Sequence, residues 1–389
     1  MKLDLIIKGG RVLDPGQGLD KVSDVGVFRG RIAALGSDLE RQVTDSRPKV
    51  LDVKGALVTP GLIDVHAHVY TGVCPLTVPA DEMCAPAGVT TVVSAGDAGA
   101  HTVEGFRQLV VNQSRTRVLC FLHISSIGLA SFPVGESILP GLLDVDAAET
   151  AISLFPDLIV GIKVRQGGAG VTGDNGLEPL RRALAVGVST ARPVMVHITD
   201  SEAPIAELLA LLRPGDIVTH CFTGTAHGIV EMGGLKAVEQ ARDRGVIFDV
   251  GHGAGSFDFD AAELAGKAGF WPDTISTDLH SISTPMAQSL PVVMSKMLAI
   301  GMPLTEVIAA TTTKAAQSIH REDTLGSLRV GRVADIAVLD IEPDEVEYRD
   351  TSGHVRRSRD RVACRASLRA GVAWGAPTHP GVGVAMLDR

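Results

Sequence analysis

The sequence predicts a (β/α)₈ TIM barrel with a small β-sandwich domain formed from both chain ends. Eight apolar, β-branched segments recur through the centre of the chain at the spacing of βα units, and short segments bounded by turn residues occupy both ends. Of the 389 residues, 45% are hydrophobic and 21% are charged, which is enough apolar material for a large core. The barrel alone accounts for roughly 250 residues, so two domains are expected.

The two chain ends carry short strand patterns separated by turn signals such as Gly9-Gly10. Connections this short leave no room for crossover helices, so we expect an antiparallel sheet. Residues 349–365 form a charged stretch that we expect to be exposed. One discontinuous β-sandwich domain, residues 1–58 and 325–389, follows from these patterns. The predicted strands are 5–7, 11–13, 24–27, 31–35, 326–328, 334–339 and 372–374.

The centre of the chain, residues 59–324, is the predicted catalytic barrel. Helical patterns, for instance over 177–184, 203–212 and 235–242, alternate with its strands. An open doubly wound sheet is the alternative, but it requires a glycine-rich phosphate-binding turn after its first strand, and this strand ends in histidines. The barrel is therefore favoured. Its predicted strands are 61–69, 90–95, 118–124, 158–164, 193–198, 217–220, 246–250 and 274–277.

Charge and composition exclude several classes of partner. The net charge is −9, no basic stripe is visible, and aromatic residues are only 4%, so a nucleic-acid partner is not expected. No uninterrupted apolar run reaches 18 residues, and Asp4 and Lys8 interrupt any signal-like segment, so neither a membrane span nor a secretory signal is expected. Five dispersed cysteines indicate free thiols. We therefore expect a cytoplasmic protein.

Polar residues stand at the carboxyl ends of the predicted barrel strands, where TIM barrels have their active sites. His66 and His68 are two residues apart and project to the same side of one strand. Neutral imidazoles together with a carboxylate suit zinc and similar divalent ions. A single strand-end histidine is most often structural, but so many such residues at five strand ends predict a metal site. The candidates are His66, His68, Lys163, His197, His220 and Asp278.

The stretch from Thr59 to His68, Thr-Pro-Gly-Leu-Ile-Asp-Val-His-Ala-His, resembles the opening strand of the amidohydrolase superfamily. Residues 326–336 resemble the strand at which that superfamily re-enters its sandwich, and the resemblance covers nearly the whole chain. It implies a barrel metal hydrolase with two divalent metal ions. By this resemblance the buried metal is held by His66, His68 and Asp278, the more exposed metal by His197 and His220, and both by Lys163, modified to a carbamate by CO₂.

The carbamate also has a physical rationale. A protonated ammonium has no lone pair and repels cations, whereas reaction with CO₂ gives Lys163 an anionic oxygen ligand. The alternative is that Lys163 pairs with an inward-facing acid. Zinc is the first choice of metal, although Mn, Fe, Co and Ni accept the same ligands. In the implied mechanism a hydroxide bridging the metals attacks the substrate, and Asp278 passes a proton from the water to the leaving group.

Four further residues are candidates for substrate contact. Arg165 lies two residues beyond Lys163, faces the same side, and can bind a substrate carboxylate or stabilise the oxyanion; the alternative is an ion pair at the rim. Tyr70 can bind substrate or pack at the barrel mouth, and it stands where dihydroorotate-hydrolysing relatives usually carry Arg. His252 and Gly253, in a glycine-rich loop after the seventh strand, are candidates for substrate contact; the alternative is a flexible loop with a solvated histidine.

Residues 212–222 and the Lys163-Val164-Arg165 placement resemble the deacetylase-type, dihydroorotase-like subgroup. The resemblance implies hydrolysis of an amide or ester bond in a small acylated substrate. A cyclic-amide hydrolase of dihydroorotase or hydantoinase type is the first alternative. A non-catalytic barrel scaffold is a remote alternative, because such proteins typically lose ligands. The sequence leaves open the acyl group, the leaving group and the oligomeric state, including a homo-oligomer.

Overall fold

The fold is a parallel barrel joined to a second sheet, which is built from both chain ends. A computed structural model describes residues 1–44, 47–132, 134–230 and 234–374. Residues 375–389 of the predicted end domain lie outside the described residues. The strands are β1 (Leu5–Asp14), β2 (Leu19–Phe28), β3 (Arg31–Gly36), β4 (Lys49–Asp52), β5 (Leu57–Pro60), β6 (Leu62–Ala67), β7 (Val89–Gly99), β8 (Arg117–His123), β9 (Ile159–Arg165), β10 (Val194–His197), β11 (Ile217–Thr219), β12 (Ile247–Asp249), β13 (Ile336–Arg349), β14 (Val355–Arg369) and β15 (Val372–Trp374).

Helices of four to twelve residues connect the strands. The predicted segments 177–184, 203–212 and 235–242 correspond to α6, α7 and α8. In α6, Leu180 and Ala183 are buried one turn apart, which is the apolar face of an amphipathic helix. The helices are α1 (Leu39–Gln42), α2 (Ala80–Cys84), α3 (Val103–Phe106), α4 (Val145–Leu154), α5 (Ala169–Thr172), α6 (Glu178–Ser189), α7 (Ile205–Leu211), α8 (Gly234–Asp243), α9 (Phe259–Lys267), α10 (Thr284–Ala287), α11 (Leu290–Ala299), α12 (Leu304–Thr311) and α13 (Thr313–Ser318).

Strands β6 to β12 pair in chain order, all in parallel, and confirm the barrel. The predicted eighth strand, 274–277, closes it through single bridges rather than a continuous ladder. Thr274 pairs with the end of β12, and Leu279 pairs with Ala67 at the end of β6. The segment leaves extended geometry at Asp278, whose φ is 47°. Closure brings the first and last strands of the barrel side by side at their carboxyl ends.

The second sheet combines both chain ends, in the order β15-β14-β13-β5-β1-β2-β3, with β4 also paired to β1. Its core includes Ile7 and Val12 from the beginning of the chain and Ile336 and Leu368 from the other end. The expectation of a wholly antiparallel sheet was wrong, because β1 pairs in parallel with β4 and β5. The hairpin of β2 and β3, followed by α1, provides the crossover that local spacing did not reveal. The predicted strands 5–7 and 11–13 are one strand.

The charged stretch 349–365 was expected to be exposed, and this expectation holds only in part: Arg357, Arg359 and Asp360 are exposed, whereas Arg361 and Arg365 are half-buried. Most of it belongs to β14, which pairs antiparallel with β13 in a long hairpin. Arg361 and Arg365 form ion pairs across the hairpin with Glu342 and Asp340, so the charges fit a sheet. The predicted strand 326–328 is not a regular strand either. Its backbone bonds to the side chain of Asp14 instead.

Strand β5 crosses the boundary predicted at residue 58 and pairs with both β1 and β13. The division into residues 1–58 with 325–389, and 59–324, stays a prediction. Within the described part of the chain, no helix is both long enough and apolar enough to span a membrane.

Candidate metal centre

Three of the six candidate ligands converge at the seam of the barrel. His66 lies near the end of β6, His68 directly follows that strand, and Asp278 lies across the closure. Asp278 Oδ1 is 3.2 Å from His66 Nε2 and 2.9 Å from His68 Nε2. One ligand atom from each of the three residues lies within 4.8 Å of the others, and all three residues are buried. Two imidazoles and a carboxylate at this spacing fit a divalent metal ion.

A fully buried carboxylate orients His68. Asp97, near the end of β7, places Oδ1 2.5 Å from His68 Nδ1. Its other oxygen accepts the backbone N–H groups of Val69 and Tyr70 and the hydroxyl of Ser94, so the carboxylate cannot turn. This arrangement directs His68 Nε2 toward Asp278, as a carboxylate behind a metal-binding histidine does. The sequence analysis missed Asp97, although it is an acidic residue near a strand end.

His66 has a similar support through one intermediate. Its Nδ1 lies 2.8 Å from Thr219 Oγ1, and that hydroxyl donates to Asp249 Oδ2 at 2.7 Å. Asp249 ends β12 and is completely buried, and it accepts two further hydroxyl hydrogen bonds, from Thr274 and Ser276. The chain Asp249–Thr219–His66 leaves Nε2 of His66 facing the other ligands. Asp249 was also missed from the sequence.

Lys163 lies at the centre of the site on β9. Its side chain is buried, and Nζ is 3.1 Å from His66 Nε2. Among the residues that the structure describes, no carboxylate lies within ion-pair distance of Nζ, so the alternative of an inward-facing acid partner finds no support. Burial lowers the pKa of Lys163 to about 7. Gly96, with φ of 93°, makes room for it, because a Cβ there would lie 2.7 Å from Lys163 Cγ.

His197 and His220 form the other side of the site. Their rings are 4.3 Å apart between centroids and nearly perpendicular. His220 Nδ1 donates to the carbonyl oxygen of Gly251 at 2.6 Å, which leaves Nε2 as the atom with a lone pair. That Nε2 is buried and has no hydrogen-bond partner in the described part of the protein. A buried acceptor without a partner is costly unless a ligand occupies it, so His220 also fits a metal ion.

Backbone strain and charge both concentrate at these residues. His220 and Asp278 have φ of 69° and 47°, and left-handed geometry costs such residues about 1–3 kcal/mol. Burial alone would neutralise Asp278, but His66 and His68 outweigh it and hold the pKa of Asp278 well below its usual range. Burial would also lower the pKa of His68, but Asp97 and Asp278 raise it to about 9. A cation between His68 and Asp278 would take the place of that proton.

A cavity of about 240 Å³ opens above the centre. Arg165 is the guanidinium among its lining residues. Its Nη1 donates to Glu136 Oε1 at 2.9 Å, and its side chain stays 18% exposed. The structure brings His66, His68, Lys163, Arg165, His197 and Asp278 into one lining; the remaining lining residues are Leu76, Leu129, Phe132, Ala254, Gly255, Ser256, His280 and Ile282.

The remaining predicted contact residues lie outside this lining. Tyr70 donates its hydroxyl to the carbonyl oxygen of Thr102 and packs against Phe106, which is the packing role that the sequence had left open. His252 is completely buried, and both ring nitrogens are engaged, so the prediction that it contacts substrate finds no support. Gly253 lies beside Asp278 rather than in the lining.

A parallel barrel with histidines, a lysine and an aspartate converging at the carboxyl ends of its strands defines a metal-dependent hydrolase. The amidohydrolase family profile matches residues 282–372. A deacetylase of Agrobacterium fabrum is 37% identical over 84% of this chain and 80% of its own length, and a deacetylase of Enterococcus faecalis is 32% identical over 93% and 96%. A solved dihydroorotase structure superimposes with a TM-score of 0.89 at 32% identity, covering 97% of this chain and 100% of that chain. The chain belongs to the amidohydrolase family.

Membership in this family makes the chain a hydrolytic enzyme. All six candidate ligands are present: five line the cavity, and the ring of His220 lies against those of His66 and His197. The scaffold alternative, which would have lost ligands, is therefore not supported. The class of cofactor that fits the donor set is a divalent metal.

Proposed function

We propose that this enzyme hydrolyses the amide or ester bond of a small acylated acid. One observation carries the proposal: Arg165 lines the cavity next to Lys163, beside apolar side chains. A guanidinium at the reacting centre binds a carboxylate or an oxyanion, and the apolar wall of Leu129 and Phe132 receives the acyl group. The deacetylase relatives, which align over most of their length, support the same substrate class.

We further propose two metal ions at the site, with zinc as the first choice. In this proposal one ion is held by His66, His68 and Asp278, and the other by His197 and His220. Lys163, carboxylated by CO₂, contributes to both. The low pKa of Lys163 and its lack of an acidic partner support this modification, because CO₂ reacts with the neutral amine. When bound, the metals supply Lewis acidity, which activates water and polarises the scissile carbonyl.

Asp278 is the proposed proton carrier. Its Oδ1 faces the histidines of β6, whereas Oδ2 has His280 Nε2 as a neighbour at 4.0 Å. We place the mobile proton on Oδ2, which receives it from the attacking water and returns it to the leaving nitrogen or oxygen. The depressed pKa of Asp278 supports this role, since the carboxylate is ionised and ready to accept a proton at neutral pH.

Arg165 is the proposed electrophilic residue. Within the described part of the protein its hydrogen bond uses Nη1 alone, so other guanidinium donors remain for the substrate. Glu136, which is completely buried, anchors the side chain from behind. We favour stabilisation of the developing oxyanion over binding of a substrate carboxylate. A fixed donor aimed at charge that develops in the transition state lowers the barrier most.

A cyclic-amide hydrolase is the second candidate. The likeness to a solved dihydroorotase over the whole chain favours it. The position two residues after His68 weighs against it, because Tyr70 is a buried packing residue there and supplies no cation.

The deciding experiment is a substrate screen on enzyme purified with Zn²⁺ or Mn²⁺, with metal content measured in parallel. N-acetyl amino acids and O-acetyl hydroxy acids should be hydrolysed, and the chelated enzyme should lose that activity and regain it on metal addition. Preferential turnover of dihydroorotate or hydantoins would instead establish the second candidate. Protein that is folded, free of metal and inactive on every class would contradict both.

We also propose a reducing, cytoplasmic location. Cys74, Cys84, Cys120 and Cys221 are buried free thiols, which supports this prediction. Mass spectrometry of alkylated protein isolated without reductant should find these four cysteines as thiols, and a disulfide at any of them would contradict the proposal.

A further inference from the structure

A lysine is buried in the barrel wall away from the cavity lining. Lys296, on α11, is 1% exposed. Its Nζ lies 2.7 Å from His252 Nε2 and donates to the carbonyl oxygens of Met286 at 3.0 Å and Arg349 at 2.8 Å. These three acceptors use all three N–H groups of the ammonium. They belong to three different parts of the fold.

No carboxylate within the described residues lies at ion-pair distance from Lys296 Nζ. Burial lowers its pKa to about 8, against the more distant charge of Asp350. A buried cation without an acidic partner is expensive, and stability alone does not explain its retention. The contacts of its three acceptors indicate what it does.

The first acceptor belongs to the β12–α9 loop, residues 250–258, which connects the seventh barrel strand to the next helix. His252 accepts from Lys296 through Nε2, so Nδ1 carries the proton and donates to the carbonyl oxygen of Gly253 at 2.9 Å. The ring also stacks on Phe257, with centroids 4.7 Å apart. Lys296 thus fixes the tautomer and the direction of His252, and with them the start of the loop.

This loop touches both sides of the metal centre. The carbonyl oxygen of Gly251 accepts from His220 Nδ1 at 2.6 Å and so orients Nε2 of that ligand. Gly253, with φ of 57°, lies so close to Asp278 that a Cβ would be 2.5 Å from Oδ2. Further along, Ala254, Gly255 and Ser256 line the cavity. A small shift of the loop would therefore move two proposed ligands and one wall of the pocket.

The other acceptors tie this loop to the rest of the molecule. Arg349 ends β13, at the turn of the hairpin built from the chain end. The same turn contacts both the loop and the start of α9. Thr351 donates to the carbonyl oxygen of Phe257, and Asp350 Oδ2 accepts the backbone N–H of Phe259 at 2.8 Å. The buried ammonium is the point where α11, the hairpin and the β12–α9 loop meet.

We propose that Lys296 is a positioning residue for the metal centre, acting through His252 and the β12–α9 loop on His220 and Asp278. The proposal rests on the proposed function, since it takes these two residues as ligands. Lys296 itself contacts neither substrate nor metal. Supporting groups of this kind typically change metal affinity 10- to 100-fold, and a more remote one should act at the lower end of that range.

The test compares the parent with Lys296→Met, His252→Leu and the double variant. Apoprotein is titrated with Co²⁺, whose absorption spectrum reports ligand geometry, and with Zn²⁺ against a chelator. We expect Lys296→Met to weaken binding about tenfold, to alter the Co²⁺ spectrum and to lower kcat more than it raises KM. His252→Leu should match it, the double variant should add little, and His252→Gln, which keeps an acceptor, should recover much of the affinity. Lys314→Met is the matched control, because Lys314 is a partly exposed surface residue paired with Glu306.

Hydrogen exchange of the apoprotein separates this proposal from the metal assignment. In the parent, the N–H groups of Gly251, His252 and Gly253 are bonded to Ser276 and Thr277. Lys296→Met should expose these amides to faster exchange whether or not metal binds. A parent protein that takes up no metal would overturn the proposed function, and the exchange data would then show only whether Lys296 orders the β12–α9 loop. A parent that binds metal, with unchanged Co²⁺ affinity in Lys296→Met, would overturn the positioning role alone. Unchanged exchange and unchanged Co²⁺ affinity, with only a lower Tm, would show that Lys296 is merely structural.

Discussion

The two sides of the candidate metal centre are held in different ways. On the β6 side, buried carboxylates orient the histidines: Asp97 contacts His68 directly, and Asp249 reaches His66 through a threonine. On the β10–β11 side, the contacts are to backbone carbonyl oxygens of loops, from Thr199 to His197 and from Gly251 to His220. Carboxylates thus support the histidines on the first side, and backbone carbonyl oxygens of loops support those on the second.

This difference predicts unequal metal sites. A carboxylate behind a histidine raises its basicity and fixes its ring, so the β6 side should keep its metal more tightly. Carbonyl oxygens of loops fix the tautomer but add no charge. The β10–β11 side should therefore depend on Lys163, which lies between the two sides, for its negative charge. The predictions below test this asymmetry, from the largest expected effect to the smallest.

The largest effect is expected for Lys163→Ala. Without a group that can become a carbamate, the β10–β11 side should lose its metal, and most of the bound metal and activity should be lost with it. Short carboxylic acids added to the variant should restore part of both, because they return an oxygen ligand to the same space. Metal analysis and turnover measurements check this. Two tightly bound metals with normal turnover in Lys163→Ala would contradict the role given to Lys163.

Asp278→Asn should preserve the fold and at least one metal, and lower kcat by roughly 10²–10⁴-fold, the usual contribution of a general acid–base group. The carboxylate is the active form and its pKa is depressed, so activity should persist above that pKa and fall as the pH drops toward it. The kcat/KM profile of the parent should accordingly rise from an acidic limb. Because that pKa lies well below the usual range of a carboxyl group, the acidic limb should leave the profile flat between about pH 5 and 8; a limb within that range, or a fully active Asn variant, would count against the assignment.

The sequence predicted the candidate ligands at the strand ends better than it predicted the residues that support them. Residues such as His66 and Asp278 stand out because their types and spacing match a metal chemistry. Asp97 and Lys296 do not stand out, because an isolated acidic or basic residue is usually on the surface and only the folded structure shows it to be buried. For His252 the difficulty is the opposite one. A histidine between glycines in a loop looks like a substrate-contact residue, and only the structure shows that both of its ring nitrogens are already hydrogen-bonded.

The pairing of strands that are far apart in the sequence could not be predicted from the sequence either. The parallel contacts of β1 with β4 and β5 depend on a crossover whose path is decided by the whole sheet, so local spacing pointed to antiparallel pairing instead. The charged residues of β14 also did not predict a strand. Their ion-pair partners lie on β13, too far along the sequence to be recognised from a local pattern.

Arg165→Met tests whether the cavity works as an oxyanion site. If Arg165 stabilises the oxyanion, kcat should fall on the order of 10²–10³-fold; if it only binds a substrate carboxylate, KM should rise and kcat should hold. Arg165→Lys should rescue little, because a lysine lacks the planar pair of donors. Steady-state kinetics on one acylated acid and one neutral ester separate the two roles. Kinetics close to those of the parent on both substrates would show that Arg165 only forms an ion pair with Glu136 at the rim of the cavity.

The smallest effect, and the sharpest test of the asymmetry, is expected for Asp97→Asn. The amide keeps the size of the side chain but removes the charge behind His68, so metal affinity on the β6 side should fall about 10- to 100-fold. The β10–β11 side should be affected less, because its histidines form hydrogen bonds with carbonyl oxygens and not with a carboxylate. Titrating apoprotein with Zn²⁺ against a chelator should therefore show a smaller difference between the affinities of the two sides in the variant than in the parent.

Asp216→Asn is the matched control for this variant. Asp216 is also completely buried and also accepts backbone N–H groups, from Val194 and Arg213, but it lies before β11, at the opposite end of the barrel from the site. It should lower Tm without changing either metal affinity, because its contacts hold strands and not ligands. If Asp97→Asn behaves in the same way, the buried carboxylate serves the fold alone. The two sides of the centre would then owe their difference to Lys163 and Asp278, which is the opposite of what the geometry around His68 leads us to expect.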